Sequence, residues 1–159
     1  MTSPSIPGVG DPMPDVALET PDGGSVRPSD FRGRKLVVFF YPKDDTPGCT
    51  VENRDFSALL PEFDAAGTAL LGVSKDPPKK HQKFAAKHGL TAPLATDAET
   101  GGLSDVLGVW DQKSLYGRLF MGMKRMTYLV DADGRIARIW PKVKVSGHAA
   151  EVLEAARAL

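Results

Sequence analysis

The six residues from Leu36 to Tyr41, within the run KLVVFFY, carry no charged or amide side chain. They are β-branched, aliphatic or aromatic, the composition of a strand. A strand with one face in water alternates between apolar and polar residues. This one does not, so both of its faces must be covered. A sheet layered on both sides is the α/β arrangement. A second run, ALLGVSKD from Ala69, makes the same demand.

Other stretches supply the layers. DVALETPDGGSVRPSDF reads as a small hairpin, Val16 to Thr20 and Ser25 to Arg27, around a Pro-Asp-Gly-Gly turn. A helix is expected from about Cys49 to Phe56. Pro61 does not suit a straight helix interior, so a second helix, PEFDAA, is expected to start there and stop at Gly67. PPKKHQKFAAKHG is a helix with prolines at its start and Gly89 at its end. ETGGLSDVLGV is a weaker helix, and residues 110–125, WDQKSLYGRLFMGMKR, read as a long connection. MTYLVDADGRIARIW is a hairpin around Asp131-Ala-Asp-Gly134. SGHAAEVLEAARAL places Ala149, Val152, Leu153, Ala156 and Leu159 on one helical face.

After the first hairpin the order is strand, helix, strand, helix, strand, strand, helix. Two strand–helix units with right-handed crossovers, followed by an antiparallel pair, wind most simply into a thioredoxin-like α/β fold. Its mixed central sheet is flanked by helices and extended by the N-terminal hairpin. The 159 residues suit a single domain, 1–159, with 1–14 as an irregular lead-in. Twenty basic residues balance twenty acidic ones, which argues against nucleic acid as a partner. The six-residue apolar run is far too short to span a membrane. No export signal is legible in MTSPSIPGVGDPMPD, and one cysteine makes no internal disulfide, so a cytoplasmic setting is expected.

That one cysteine, Cys49, follows the turn Thr46-Pro47-Gly48 just past the carboxyl end of the first central strand. Open α/β sheets gather ligands there. Thr46 precedes proline and is held extended. Cys49 then falls in the first helical turn, where free N–H groups and the helix dipole favour a thiolate. Its neighbours are acidic and polar and it does not fall within an apolar face, which favours a reactive thiol over an inert core cysteine. An ordinary thiol, with a pKa of about 8.5, is a few per cent ionised at pH 7, so full ionisation gains about thirtyfold, or roughly 2 kcal/mol. That is a small part of an enzymatic acceleration. A catalytic Cys49 therefore needs donors that hold the electrophile and its leaving group.

YPKDDTPGCT contains Pro42-x-x-x-Thr46-x-x-Cys49 and resembles the active-site signature of the peroxiredoxins. Its full form is similar to that of the bacterioferritin comigratory protein (peroxiredoxin Q) group. Trp110, Lys113, Gly117 and Gly122, leading to Arg125 and MTYLVDADG, fit the same group, and the likeness runs from about residue 10 to the end. The resemblance implies a thiol-dependent peroxidase for hydrogen peroxide and organic hydroperoxides, with no cofactor and no metal. Cys49 would attack the terminal peroxide oxygen, forming a sulfenic acid and releasing water or alcohol. Thr46 would bind the peroxide, and Arg125 would supply fixed positive charge and donors. Pro42 would shield the site, and the backbone N–H groups of Gly48 and Cys49 would add donors.

Many members of the group carry a second cysteine five residues on. Arg54 stands there, and no later cysteine replaces it. The resemblance is therefore to a one-cysteine type, a monomer or weak homodimer, resolved by an external thiol: thioredoxin, glutaredoxin or glutathione. Arg54 is either a solvated helix charge or a contact for an anionic reductant. The alternative reading is a peroxide sensor that passes its oxidation to a partner. A disulfide oxidoreductase would need cysteine at Glu52 and, by its resemblance, a cis-proline near Arg125-Met126-Thr127; neither is present. His81 and His88, about 10.5 Å apart along a helix, do not form a metal pair and are expected to be surface or half-buried histidines. Asp131 to Gly134 is too short for a calcium loop. Tyr116, Leu119, Phe120, Met121 and Met123 either form an apolar collar for organic hydroperoxides or pack onto the sheet or a partner.

Overall fold

The computed structural model describes residues 6–159; residues 1–5 of the expected lead-in lie outside the described residues. Seven strands form one mixed sheet in the order β2-β1-β5-β4-β3-β8-β9. They are β1 (Leu18–Glu19), β2 (Ser25–Val26), β3 (Lys35–Phe40), β4 (Thr68–Ser74), β5 (Leu94–Thr96), β8 (Met126–Val130) and β9 (Ile136–Trp140). The unalternated run, β3, is the pivot. It pairs parallel with β4, from Lys35 opposite Thr68 to Phe40 opposite Val73. On its other side it pairs antiparallel with β8, Leu36 opposite Val130 and Phe40 opposite Met126. Residues 36–40 are all at most 1% exposed, as a strand covered on both faces must be.

The two faces have separate cores. Leu36, Val38 and Phe40 join Leu71, Val73, Leu107 and Tyr128 on one. Val37, Phe39 and Tyr41 join residues of α1 (Pro47–Ala65), α2 (Pro78–His88) and α4 (His148–Ala158) on the other. Phe39 stacks on Phe56 of α1 with ring centroids 4.2 Å apart. On its far side Phe39 presses on β4 so closely that a Cβ at Gly72 would stand 2.7 Å from its Cζ. Only glycine admits the ring there.

Four expectations need correcting. The two helices expected around Pro61 are one, α1, with Pro61 inside it. Proline cannot bond the carbonyl four residues back, but the freed Ser57 oxygen takes a hydrogen bond from Thr91 Oγ1 at 3.2 Å instead. Ser57 Oγ in turn accepts from the N–H groups of Thr91 and Ala92 at 3.1 and 3.0 Å. Residues 110–125 are not a plain connection. They form a hairpin apart from the main sheet, β6 (Trp110–Leu115) with β7 (Arg118–Met123), closed by Tyr116 and Gly117 at φ 51° and 76°. The strand β5, three residues long, was not foreseen, and the weak helix shrinks to one turn, α3 (Leu103–Val106). His81 is neither at the surface nor half-buried; it is 0% exposed.

The remaining expectations match within a residue or two at their ends. On α4, Ala149, Val152, Leu153 and Ala156 are buried, while Leu159 is 51% exposed at the frayed end. Residues 10–13 run beside the start of β9, with Gly10 N–H bonded to Ile136 O at 2.8 Å and Met13 N–H to Gly134 O at 2.8 Å.

Candidate active site

The chain leaves β3 with one more ladder bond, Tyr41 N–H to Val73 O at 3.0 Å. Pro42 follows, exposed, and ends the strand because it has no N–H to continue the ladder. Thr46 is extended at φ −95°, as a residue before proline must be, and forms the N-cap of α1. Its hydroxyl donates to Lys43 O at 2.8 Å, drawing the loop into a closed turn. The first backbone bond into α1 is Thr50 N–H to Thr46 O at 2.8 Å. The N–H groups of Gly48 and Cys49 precede it, so the helix leaves them free to donate.

Cys49 lies on the inner side of that first turn and is 1% exposed. It belongs to the apolar cluster of Phe39, Phe56 and Phe63, so the expectation that it stands apart from an apolar face does not hold. Its polar contact comes from the start of β8. Arg125 Nη2 donates to Cys49 Sγ at 3.3 Å. The guanidinium also lies 3.2 Å from where a Cβ on Gly48 would stand. Thr46, Gly48, Cys49 and Arg125 are thus within one loop and the strand end beside it. Pro42 is at the loop's exposed start.

Sequence reasoning passed over Glu52. One turn along α1 from Cys49 and 1% exposed, it accepts Arg125 Nη1 through Oε1 at 2.7 Å. Its other oxygen, Oε2, has no partner among the described residues. Burial pushes the Glu52 carboxyl up to about 7, although Arg125 pulls the other way. Burial also opposes the Arg125 charge, but Glu52 and the Cys49 sulfur outweigh it and hold the guanidinium above its ordinary range. Arg125 is thereby fixed between a carboxylate and a sulfur. The signal was present: residues three apart on a helix share a face, so Glu52 had to lie beside Cys49.

Lys113 is half-buried on β6, its stem against Gly122, where a Cβ would stand 3.0 Å from Lys113 Cδ. Burial lowers its pKa, the Arg125 charge lowers it further, and the Cys49 sulfur acts in the opposite sense. Lys113 is therefore a second cation in the field of the sulfur. Of the suspected collar, Met123 is 2% exposed and packs in the core. Tyr116, Leu119, Phe120 and Met121 are 97, 67, 45 and 53% exposed along the projecting hairpin. Arg54 is exposed on α1, and its charge partly offsets the burial that raises the Asp55 carboxyl. His148 lies behind the site, its Nε2 2.8 Å from Thr127 Oγ1, and burial pushes its pKa down to about 4. Among the described residues no group of three His, Cys, Asp or Glu side chains could hold a metal ion.

The chain is similar to known proteins over most of its length. Residues 9–139 match the AhpC/TSA family. A peroxiredoxin Bcp of Xanthomonas campestris is 44% identical over 144 residues, covering 91% of this chain and 89% of that protein. A peroxiredoxin Bcp of Bacillus subtilis is 41% identical, covering 92% of each chain. The solved Xanthomonas campestris bacterioferritin comigratory protein superposes with a TM-score of 0.87 at 41% identity, over 95% of this chain and 98% of that one.

Proposed function

This chain belongs to the AhpC/TSA family as a peroxiredoxin of the Bcp type, and on that premise we propose how its residues act as a thiol-dependent peroxidase. The Xanthomonas campestris relative is described for its alkyl peroxide reduction activity, and we extend hydrogen peroxide and organic hydroperoxides to this chain as substrates. The observation that carries the reading is the 3.3 Å contact from Arg125 Nη2 to the sulfur of the chain's one cysteine.

Cys49 reacts as the thiolate. Its sulfur attacks the terminal peroxide oxygen in line with the O–O bond. The S–O bond forms as the O–O bond breaks, and the electron pair leaves on the distal oxygen, which takes a proton and departs as water or alcohol. Charge therefore moves from sulfur to leaving oxygen. A guanidinium that already faces the sulfur can follow that charge without rearranging. The free N–H groups of Gly48 and Cys49 add donors. Thr46, whose own proton is given to Lys43 O, meets the peroxide as an acceptor for its O–H. Pro42 ends the strand at the start of this loop and shields the site.

The chain has no other cysteine, so an external thiol condenses with the sulfenic acid, releasing water and leaving a mixed disulfide. A second thiol then restores Cys49. Thioredoxin, glutaredoxin and glutathione all have the required chemistry. The same reading takes residues 1–159 as one cytoplasmic domain, a monomer or weak homodimer. No described helix is long and apolar enough to cross a membrane.

Cys49→Ser is expected to abolish peroxide consumption while leaving the circular dichroism spectrum unchanged. Activity near wild type in that variant would remove Cys49 from the mechanism. Intact-mass measurement after peroxide, with and without glutathione, follows the sulfur through sulfenic acid, sulfinic acid and mixed disulfide. Sustained turnover with one thiol supports a peroxidase. A single stoichiometric burst with all three supports the sensor reading instead.

A further inference from the structure

Behind the Cys49 loop lies a buried polar cluster for which the chemistry above has no use. Asp44, two residues before Thr46, is 2% exposed, and His81 of α2 is 0% exposed. Asp44 Oδ2, otherwise without a partner among the described residues, stands 2.7 Å from His81 Nδ1. Tyr41 OH donates to Asp44 Oδ1 at 2.5 Å and lies 3.4 Å from the same ring nitrogen. His81 Nε2 is 3.1 Å from Ala95 O on β5. The Asp44 N–H donates to Asp76 Oδ2 at 2.8 Å, and Asp76 is held in turn by Ser74 Oγ at 2.7 Å and Lys80 Nζ at 2.9 Å.

A carbonyl only accepts, so Nε2 of His81 is the donor towards Ala95 O. On the other side of the ring Nδ1 faces Asp44 Oδ2 at 2.7 Å, and both side chains are buried. The imidazole thus reaches from β5 to the loop, and its contact with Asp44 binds the loop to α2 from within.

The next residue is gripped from outside. Asp45 has a left-handed φ of 61°, unfavourable for a residue with a Cβ. Its carboxylate is held by Lys87 Nζ and His88 Nε2, both at 2.8 Å, from the last turn of α2. Two consecutive loop residues are thus fastened to one helix, immediately before the chain reaches Thr46.

We propose that His81, through Asp44, is a positioning residue for peroxide reduction. By fastening the loop to α2 it sets where Thr46 and the free N–H groups at the start of α1 stand relative to the sulfur. This rests on the reading of Cys49 given above. Peroxide attack needs the whole constellation, whereas alkylation by iodoacetamide needs only a thiolate that the reagent can reach. Misplacing the loop therefore lowers the peroxide rate constant, and with it the ratio of the two rates, whereas a change of access alone raises the alkylation rate constant and leaves the peroxide one where it was.

The experiment measures both second-order rate constants of Cys49 at one pH, on protein shown to be folded by its unfolding transition. For His81→Leu the ratio of peroxide to iodoacetamide reactivity is expected to fall roughly tenfold to a hundredfold, the scale of a misplaced reacting group. His81→Asn, which restores a donor near the Nδ1 position, recovers most of it. The double variant His81→Leu with Asp44→Ala is no worse than either single one, because both break the same link. Should His81→Leu not fold, Tyr41→Phe, which removes one hydroxyl, is expected to lower the ratio by a smaller factor. An unchanged ratio in a folded His81→Leu or Tyr41→Phe variant overturns the positioning role alone. Absence of peroxide oxidation at Cys49 in the unaltered protein overturns the Cys49 reading, and the positioning role with it.

Discussion

Arg125 meets Glu52 and Cys49 with different nitrogens of one planar group, so the two contacts fix its plane as well as its position. Arg125→Ala is expected to slow peroxide reduction by about 10²–10³-fold, the usual effect of removing one fixed donor at a developing anion. Arg125→Lys should recover little of it, because a single ammonium cannot serve both partners in that geometry. Stopped-flow measurement of Cys49 oxidation tests both. Glu52 makes a prediction about stability. Its carboxyl titrates near 7 in the folded protein against 4.5 for an unperturbed side chain, so the folded state binds that proton more tightly. The resulting stabilisation is full below pH 4.5 and is lost as pH rises towards 7, on the order of 3 kcal/mol in all. His148, lowered from 6.5 to about 4, works in the opposite sense: its contribution is present above 6.5 and lost as pH falls towards 4. Urea unfolding of Glu52→Gln beside wild type at each pH cancels the histidine. The difference should move in favour of the variant from pH 5 to pH 8, and a flat difference would contradict the raised carboxyl.

Elements in this chain depart from their local signals where distant partners intervene. Pro61 marks a helix end by every local criterion, yet α1 continues through it because the Thr91 hydroxyl, thirty residues on, caps the Ser57 carbonyl that the proline leaves open. Thr91→Val keeps the shape and removes that donor. It is expected to destabilise the fold by about 1 kcal/mol, read from the urea midpoint, with Cys49 reactivity unchanged. The β6–β7 hairpin was illegible for a related reason. Its two-residue turn is Tyr116-Gly117, not the Asn-Gly or Asp-Gly that announces such turns, and its sides do not alternate because both face solvent over most of their length. By contrast β3, β4, β8 and α4 were plain in the sequence, because their packing follows from their own periodicity. The Thr46-Pro47-Gly48-Cys49 segment was plain because proline and glycine dictate the turn. Full burial of His81 was not legible, although its spacing from Phe84 puts both on the inner face of α2. Its burial depends on Asp44 and Tyr41, which no helical pattern contains.

At the scale of the molecule, the sheet brings the site together from three distant stretches: the end of β3, the start of β8 and the helix between β4 and β5. The antiparallel pairing of Phe40 with Met126 delivers Arg125 to the mouth of the Cys49 loop. The parallel crossover returns α2 beneath that loop. Cys49 and Phe56 ride on the same helix, and Phe56 leans on Phe39, which leans on Gly72. Adding one methyl at residue 72 would drive the first ring into the second. Gly72→Ala should therefore cost about 1–3 kcal/mol in unfolding free energy. It should also slow peroxide oxidation in molecules that remain folded, which stopped-flow assay below the unfolding midpoint would detect. The sulfur's alignment is in that sense a property of a strand that contributes no residue to the site, and a carbon atom placed there would be felt through two aromatic rings before it reached the chemistry.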